Sequence, residues 1–175
     1  MYFPAEDTDL LIKGIKGLRS LGRLLEIGVG SGKVLEASSQ ASIFCVGCDI
    51  DLAVLKLTAS KSMPRTDLVC CDSANCFVDN SFDTIVFNPP YLPSEDIIDL
   101  TIDGGKEGVE VLFKFIKSSF RLMKRHGVIL FISSSFANIE KVKKFIEENG
   151  LCCHIIAKEH FFFEDIYLFH CVKLL

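Results

Sequence analysis

Leu25-Glu26-Ile27-Gly28-Val29-Gly30-Ser31-Gly32 is the stretch that decides the fold. The run Arg23–Gly28 reads as a strand, and the glycines sit where it turns into a helix-like segment, Lys33–Ser38. Glycine at such a turn lets the backbone come close to a ligand at a helix N-terminus. Alone, a G-x-G-x-G is a weak signal. It gains weight because a second strand, Ile43–Asp49, ends on an acid roughly 20 residues on, where a carboxylate hydrogen-bonds ribose hydroxyls. Asp49 could also serve, with Asp51, as a helix cap. Glu26 narrows the ligand. An acid just before the glycines favours a cationic amino-acid portion and repels a pyrophosphate.

Working outward, strand-like and helix-like segments alternate. A helix over Asp7–Leu18, with Leu11, Ile15 and Leu18 on one face, precedes the first strand. A helix over Leu52–Ser60 and a short strand, Asp67–Cys71, follow the second strand; the short strand is a candidate sheet edge. A fourth strand, Phe82–Phe87, stops at Asn88, and Pro93–Gly108 reads as a loop that can carry short structure. Leu112, Phe115, Ile116, Phe120 and Met123 then recur at helical spacing, with Gly127 as the stop. Strand Val128–Ser133 is followed by a helix with Ile139, Val142, Phe145 and Ile146 inward, closing at Gly150. The last two strands, Cys152–Lys158 and Ile166–Lys173, are too close for a crossover helix and predict an antiparallel hairpin. The expected architecture is α/β and Rossmann-like: a mostly parallel, doubly wound sheet with a C-terminal antiparallel hairpin. With no repeat, linker or low-complexity tract, residues 1–175 are expected to form one domain.

Asn88-Pro89-Pro90-Tyr91 carries the chemistry. Two prolines stiffen the turn and remove two backbone donors, so it presents carbonyl oxygens. The Asn88 amide oxygen and the Pro89 carbonyl can accept both hydrogens of one planar NH2 group. Such a nitrogen is a poor nucleophile because its lone pair is delocalised. Two acceptors set out of its plane favour a pyramidal nitrogen and aim the lone pair at an electrophile. Tyr91 supplies a flat face for a planar amide or base. The arrangement suits methyl transfer to an amide or exocyclic amine, although a bare tetrapeptide could be a proline-rich turn and no more. Asp72 and Ser73 end the third strand, where ligands lie in a doubly wound sheet. Asp72 is placed to accept from an adenine amino group with Ser73 beside it; the bland reading is an Asx or Ser turn. No general base is evident, since His126, His154, His160 and His170 all lie outside these motifs.

Bulk properties restrict the function classes. Hydrophobic residues make up 49% of the 175, and mean hydropathy is +0.35. No apolar run approaches the ~20 residues of a membrane span, and the first residues lack the pattern of a signal peptide. The apolar excess goes into a dense core, an exposed interface, or both. Net charge is −4, against the basic footprint of a protein that grips a duplex unaided, so direct nucleic-acid binding is not expected. Lys141, Lys143, Lys144 and the cluster Arg121, Lys124, Arg125 read as solvated helix faces. Of eight cysteines, Cys45 and Cys48 have C-x-x-C spacing but fall in a buried strand, and the zinc-knuckle or redox context is missing. The cysteines read as small buried hydrophobes with free thiols, which implies a reducing, cytoplasmic setting.

Taken together, Leu25–Gly32, Gly47-Cys48-Asp49, Asp72 and Asn88–Tyr91 resemble the seven-stranded S-adenosylmethionine-dependent methyltransferases. Tyr2-x-Pro4-Ala5-Glu6-Asp7-Thr8 is similar to the N-terminal motif of the HemK branch, the release-factor glutamine methyltransferases, and Asp103–Gly108 is similar to its Gly-rich segment. Bacterial members carry an N-terminal helical domain, whereas this chain begins at the first motif and resembles the short archaeal and eukaryotic branch. The resemblance implies S-adenosyl-L-methionine as cofactor and, as substrate, the glutamine amide in the Gly-Gly-Gln motif of a class-1 peptide release factor. It further implies a heterodimer with a small zinc-binding activator protein that covers an apolar surface. Carried over by position, Thr8, Glu26, Gly28, Gly30, Asp49, Asp72, Ser73 and Asn88 would line the cofactor pocket. Asn88, Pro89, Pro90 and Tyr91 would hold the substrate amide, with no metal. Thr8 could instead cap the first helix, and Asp103–Gly108 could be a substrate-facing cover or an ordinary loop. The rival with the same fold and tetrapeptide is N-methylation of adenine N6 or guanine N2, which would need an extruded or single-stranded base.

Overall fold

A computed structural model describes residues 6–94, 102–161 and 163–174. Tyr2, Pro4 and Ala5 of the N-terminal motif, and residues 95–101 of the expected loop, lie outside them. Five strands, β1 (Arg23–Ile27), β2 (Phe44–Asp49), β3 (Thr66–Cys70), β4 (Phe82–Phe87) and β7 (Met123–Ser134), run parallel in one sheet. β8 (Leu151–Phe161) and β9 (Glu164–Lys173) complete it. The seven-stranded order is β3-β2-β1-β4-β7-β9-β8. β9 slots antiparallel between β7 and β8, so one reversed strand interrupts an otherwise parallel sheet.

Both faces of the sheet are covered, and the alternation along its central strands shows it. Leu25, Ile27, Ile85, Phe87, Ile129 and Phe131 pack with α4 (Glu110–Leu122) and α5 (Ile139–Glu148). Leu24, Val86, Leu130 and Ile132 point the other way, against α1 (Glu6–Gly17), α2 (Lys33–Ser39) and α3 (Leu52–Thr58). An aromatic row crosses the first face: Phe87 stacks on Phe131 at 5.2 Å, and Phe131 on Phe169 at 4.7 Å. Much of the apolar excess is thus core. The rest stays at the surface, with Ile43, Ile50, Leu52, Leu57 and Val78 all more than half exposed. β3 forms one sheet edge, as its length suggests.

Two expectations need correction. Gly127 does not stop a helix: α4 ends at Leu122, and β7 begins at Met123, well before Val128. A bulge between the Phe82–Met123 and Thr84–Val128 pairs absorbs Lys124-Arg125-His126. Gly127 is needed because a Cβ there would lie 2.9 Å from the Asp83 carbonyl oxygen of β4. Second, the cysteines are not all free thiols. Cys153 and Cys171 face each other across β8 and β9, with Cα atoms 4.1 Å apart, and form a disulfide. Sequence spacing hides that pair, since only strand register brings it together. The Asp103–Gly108 segment carries short structure, as the loop reading allowed. Its start forms β6 (Asp103–Gly105), which pairs with β5 (Leu92–Pro93). A Cβ on Gly104 would meet the Pro90 carbonyl oxygen at 2.7 Å, so this segment packs against the backbone of the Asn88–Tyr91 turn. No helix among the described residues is long and apolar enough to cross a membrane.

Candidate active site

A cleft of about 530 Å³ opens at the carboxyl ends of β1, β2, β3 and β4, where ligands lie in folds of this kind. Thr8, Glu26, Gly28, Gly30, Asp49, Asp72, Ser73, Asn88, Pro89, Pro90 and Tyr91 all line it. The structure therefore brings every sequence-predicted site residue to one place.

Between β2 and β4, β1 runs into the glycine turn. Gly28 and Gly30 have φ of +77° and +51°, values that side chains with a Cβ rarely adopt. The Gly28 N–H donates to the Cys48 carbonyl at 2.8 Å. The Gly30 N–H donates to Asp49 Oδ2 at 3.1 Å. Asp49 Oδ1 accepts from the Asp51 N–H at 2.9 Å. Asp51 in turn caps α3 by accepting from Ala53 N–H, so Asp49 is not itself the cap. Glu26 lies beneath, 4% exposed, and its Oε2 is buried with no partner. Burial pushes its carboxyl well above the usual carboxylate range, and nearby Asp49 adds to that, while the Leu35 backbone N–H opposes it.

At the end of β3, Ser73 Oγ donates to Asp72 Oδ1 at 2.6 Å. Ser73 and Ala74 both take positive φ, +50° and +63°, an uncommon conformation for two successive non-glycine residues. The strained step turns the chain sharply and keeps Asp72 and Ser73 on the cleft wall.

Asn88 follows β4, the strand beside β1. Asn88 Nδ2 donates to Asp7 Oδ2 at 2.9 Å, and the Tyr91 hydroxyl donates to the same oxygen at 3.3 Å. Asn88 Oδ1 is buried and has no partner. Burial, then the charges of Asp7 and Glu164, push the Tyr91 hydroxyl far above the usual phenol value, so Tyr91 stays neutral. Thr8 is buried inside the first turn of α1 and is not its cap.

The sequence reading overlooked Asp7, which lies beside Thr8 in the same motif. It also left out Phe115, Phe161, Glu164 and Ile166, which line the cleft too. Phe115 is legible only as a helix-face residue, and the other three come from the final hairpin. Overall, the carboxylates of Glu6, Asp7, Glu26, Asp49, Asp51, Asp72 and Glu164 outnumber Lys33 and Lys114 on the walls. Such a cleft attracts a cationic ligand and repels a pyrophosphate. The unpartnered Glu26 oxygen fits an ammonium-bearing cofactor tail.

Comparison with known proteins agrees. A family model described as Eco57I restriction-modification methylase matches residues 49–161. A putative protein N5-glutamine methyltransferase of Methanocaldococcus jannaschii is 31% identical, with 99% of this chain and 92% of that protein covered. A release factor glutamine methyltransferase of Rhodospirillum rubrum is 27% identical over 89% of this chain, which spans 54% of that protein. A chain of the E. cuniculi Mtq2–Trm112 complex, responsible for methylation of the eRF1 translation termination factor, superposes with a TM-score of 0.82. It is 26% identical, with 98% of each chain covered. The chain thus carries the Eco57I-type methylase signature, and it belongs to the protein N5-glutamine methyltransferase family.

Proposed function

We propose that this chain transfers a methyl group from S-adenosyl-L-methionine to the side-chain amide nitrogen of the glutamine in the Gly-Gly-Gln motif of a class-1 peptide release factor. The observation that carries the reading is the buried, unpartnered Asn88 Oδ1 beside Pro89, on the strand next to that of the unpartnered Glu26 oxygen and lining the same cleft. Both are acceptors, and one ligand group of opposite polarity suits each: an NH2 at Asn88, an ammonium at Glu26. The names of the relatives and the Mtq2–Trm112 likeness support the same substrate.

Glu26 would hold the ammonium of the cofactor, Asp49 its ribose, and Asp72 with Ser73 the adenine. The cofactor supplies an electrophilic methyl on a sulfonium. Asn88 Oδ1 and the Pro89 carbonyl accept the two amide hydrogens and hold the nitrogen with its lone pair directed at that methyl. Tyr91 lies along the amide plane. As the N–C bond forms, the methyl–sulfur bond would break with its electron pair returning to sulfur as a neutral thioether. The nitrogen, now far more acidic, would lose its proton to water without a dedicated base.

A small zinc-binding activator would form a heterodimer along the open β3 edge. Exposed Ile50 adjoins that edge, with the Cys70 thiol 3.6 Å from its carbonyl. We place the complex in the cytoplasm, with its substrate. The Eco57I match favours one second reading, methylation of an exocyclic amine in nucleic acid. The acidic cleft and the net charge of −4 weigh against a polyanionic substrate.

The test is transfer of labelled methyl with the activator present, offered to release factor, to the same factor with its Gly-Gly-Gln glutamine replaced, and to single- and double-stranded nucleic acid. Label in the intact release factor alone supports the proposal. Label in nucleic acid alone overturns it in favour of the second reading.

A further inference from the structure

We infer that Asp7 is a positioning residue for the transfer: its carboxylate sets which end of the Asn88 amide faces the cleft. The inference rests on the amide-transfer reading, because it matters only if an incoming NH2 must meet an acceptor.

A side-chain amide has a donor end and an acceptor end of nearly equal size. Turned over, Asn88 would set its own NH2 against the NH2 of the substrate, and neither hydrogen could be accepted. Something must choose the orientation, and the Asn88–Tyr91 turn contains no group that can. Asp7 can. A carboxylate only accepts, so Oδ2, 2.9 Å from Asn88 Nδ2, tolerates the NH2 end and repels the carbonyl end. Asp7 is 3% exposed, so water does little to screen that preference. The carboxylate is itself anchored. Oδ1 accepts from the Thr8 N–H at 2.6 Å in the first turn of α1, where the helix favours an anion. Oδ2 also accepts from the Tyr91 hydroxyl at 3.3 Å. One side chain thus ties α1 to both ends of the acceptor turn. The consequence is visible on the far side of the amide, where Asn88 Oδ1 is left buried and without a partner, on a residue that lines the cleft.

The test uses the full chain with its activator and has two arms. Side-chain amide NMR of the wild type should show Asn88 NH2 protons shifted downfield and protected from exchange, and Asp7→Asn should remove both features. In kinetics with release factor, Asp7→Asn should lower kcat ~100-fold while KM and cofactor affinity stay within about threefold, the pattern of misorientation and not of lost binding. The reciprocal pair Asp7→Asn with Asn88→Asp should recover at least about tenfold over either single change. There the amide at position 7 donates to one carboxylate oxygen at position 88 and leaves the other to accept. A merely structural tie between α1 and the turn predicts no such recovery. A wild-type Asn88 amide exchanging at the solvent rate overturns the inference, and so does a double variant no better than the weaker single. If the NMR arm succeeds but wild-type enzyme leaves release factor unlabelled, the substrate reading falls and the Asp7–Asn88 orientation stands.

Discussion

Replacing Glu26 with glutamine should make the empty protein more stable and the cofactor bind less well. Glu26 is 4% exposed, its Oε2 has no partner, and burial raises its carboxyl well above the usual range. At neutral pH the unfolded chain carries this group ionised in water, whereas the fold must either bury the charge or take up a proton. Both options cost stability relative to a neutral isostere. Glutamine keeps the shape and the acceptor facing the Leu35 N–H but sheds the charge. The gap between charged and neutral hydrogen-bonding groups puts the gain at about 1–1.5 kcal/mol, or a rise in Tm of roughly 2–6 °C for a chain of this size. The pH dependence follows from the raised value. Below the ordinary carboxylate value both states are protonated and the variants should match. The gap should open as pH rises through that value and level off above the folded one. Cofactor binding should move the other way, weakening about 10- to 100-fold as a charge-assisted contact is lost. Thermal unfolding of both proteins at pH 4 and pH 8, with and without cofactor, reads all of this. A variant less stable than wild type at pH 8 without cofactor would refute the reasoning, because Glu26 Oε2 would then have a partner in the fold.

Asn88→Ala should abolish methyl transfer while leaving cofactor affinity within about threefold by calorimetry, since the residue is assigned to the acceptor. Loss of cofactor binding in a folded variant would reassign it. Gly47→Ala should lower stability by about 1–3 kcal/mol in denaturant unfolding. Its new methyl would sit 2.6 Å from Leu35 Cδ2 and 2.7 Å from Val29 Cγ2, and an unchanged midpoint would mean that the α2 face of the sheet is loosely packed. Phe131→Ala removes the middle ring of the aromatic row and should cost about 3–5 kcal/mol. A loss below about 1 kcal/mol would show that the row is not the core's centre.

Much of this molecule was legible in the sequence because its signals are local. Arg23–Ile27 running into three glycines announces a strand, a tight turn and a ligand without reference to the rest of the chain. The proximity of the last two strands excludes a crossover helix and so forces the reversed β9. What escaped is non-local. The Cys153–Cys171 pairing depends on the register of β8 against β9. The early start of β7 depends on β4, whose Asp83 carbonyl leaves room only for glycine at position 127. Asp7 looked like one more acid in a helix's first turn, and its role needs the distant Asn88–Tyr91 segment to come within hydrogen-bond reach. The family motif pointed to Thr8 and Asn88, but only the fold connects Asn88 to the carboxylate beside Thr8.

The position of β9 has a consequence for the order of events during synthesis. The cleft is walled by residues as distant in sequence as Glu6 and Ile166, and β9 must slip between β7 and β8 before that wall exists. A chain still emerging from the ribosome can pair β1 to β4, yet β7 waits with an unpaired edge and the cleft lacks Glu164 and Ile166. Such non-local pairing is slow and leaves apolar strand exposed in the interval. Glu26, Asp49 and Asp72 stand on or just past the earlier strands, but Glu164 and Ile166 join the wall only with β9. A ligand that fills the whole cleft therefore binds the completed chain best, and by mass action draws it away from its partly folded forms. Ligand supply in the cell then acts on how much of this enzyme matures, apart from how fast each mature molecule works.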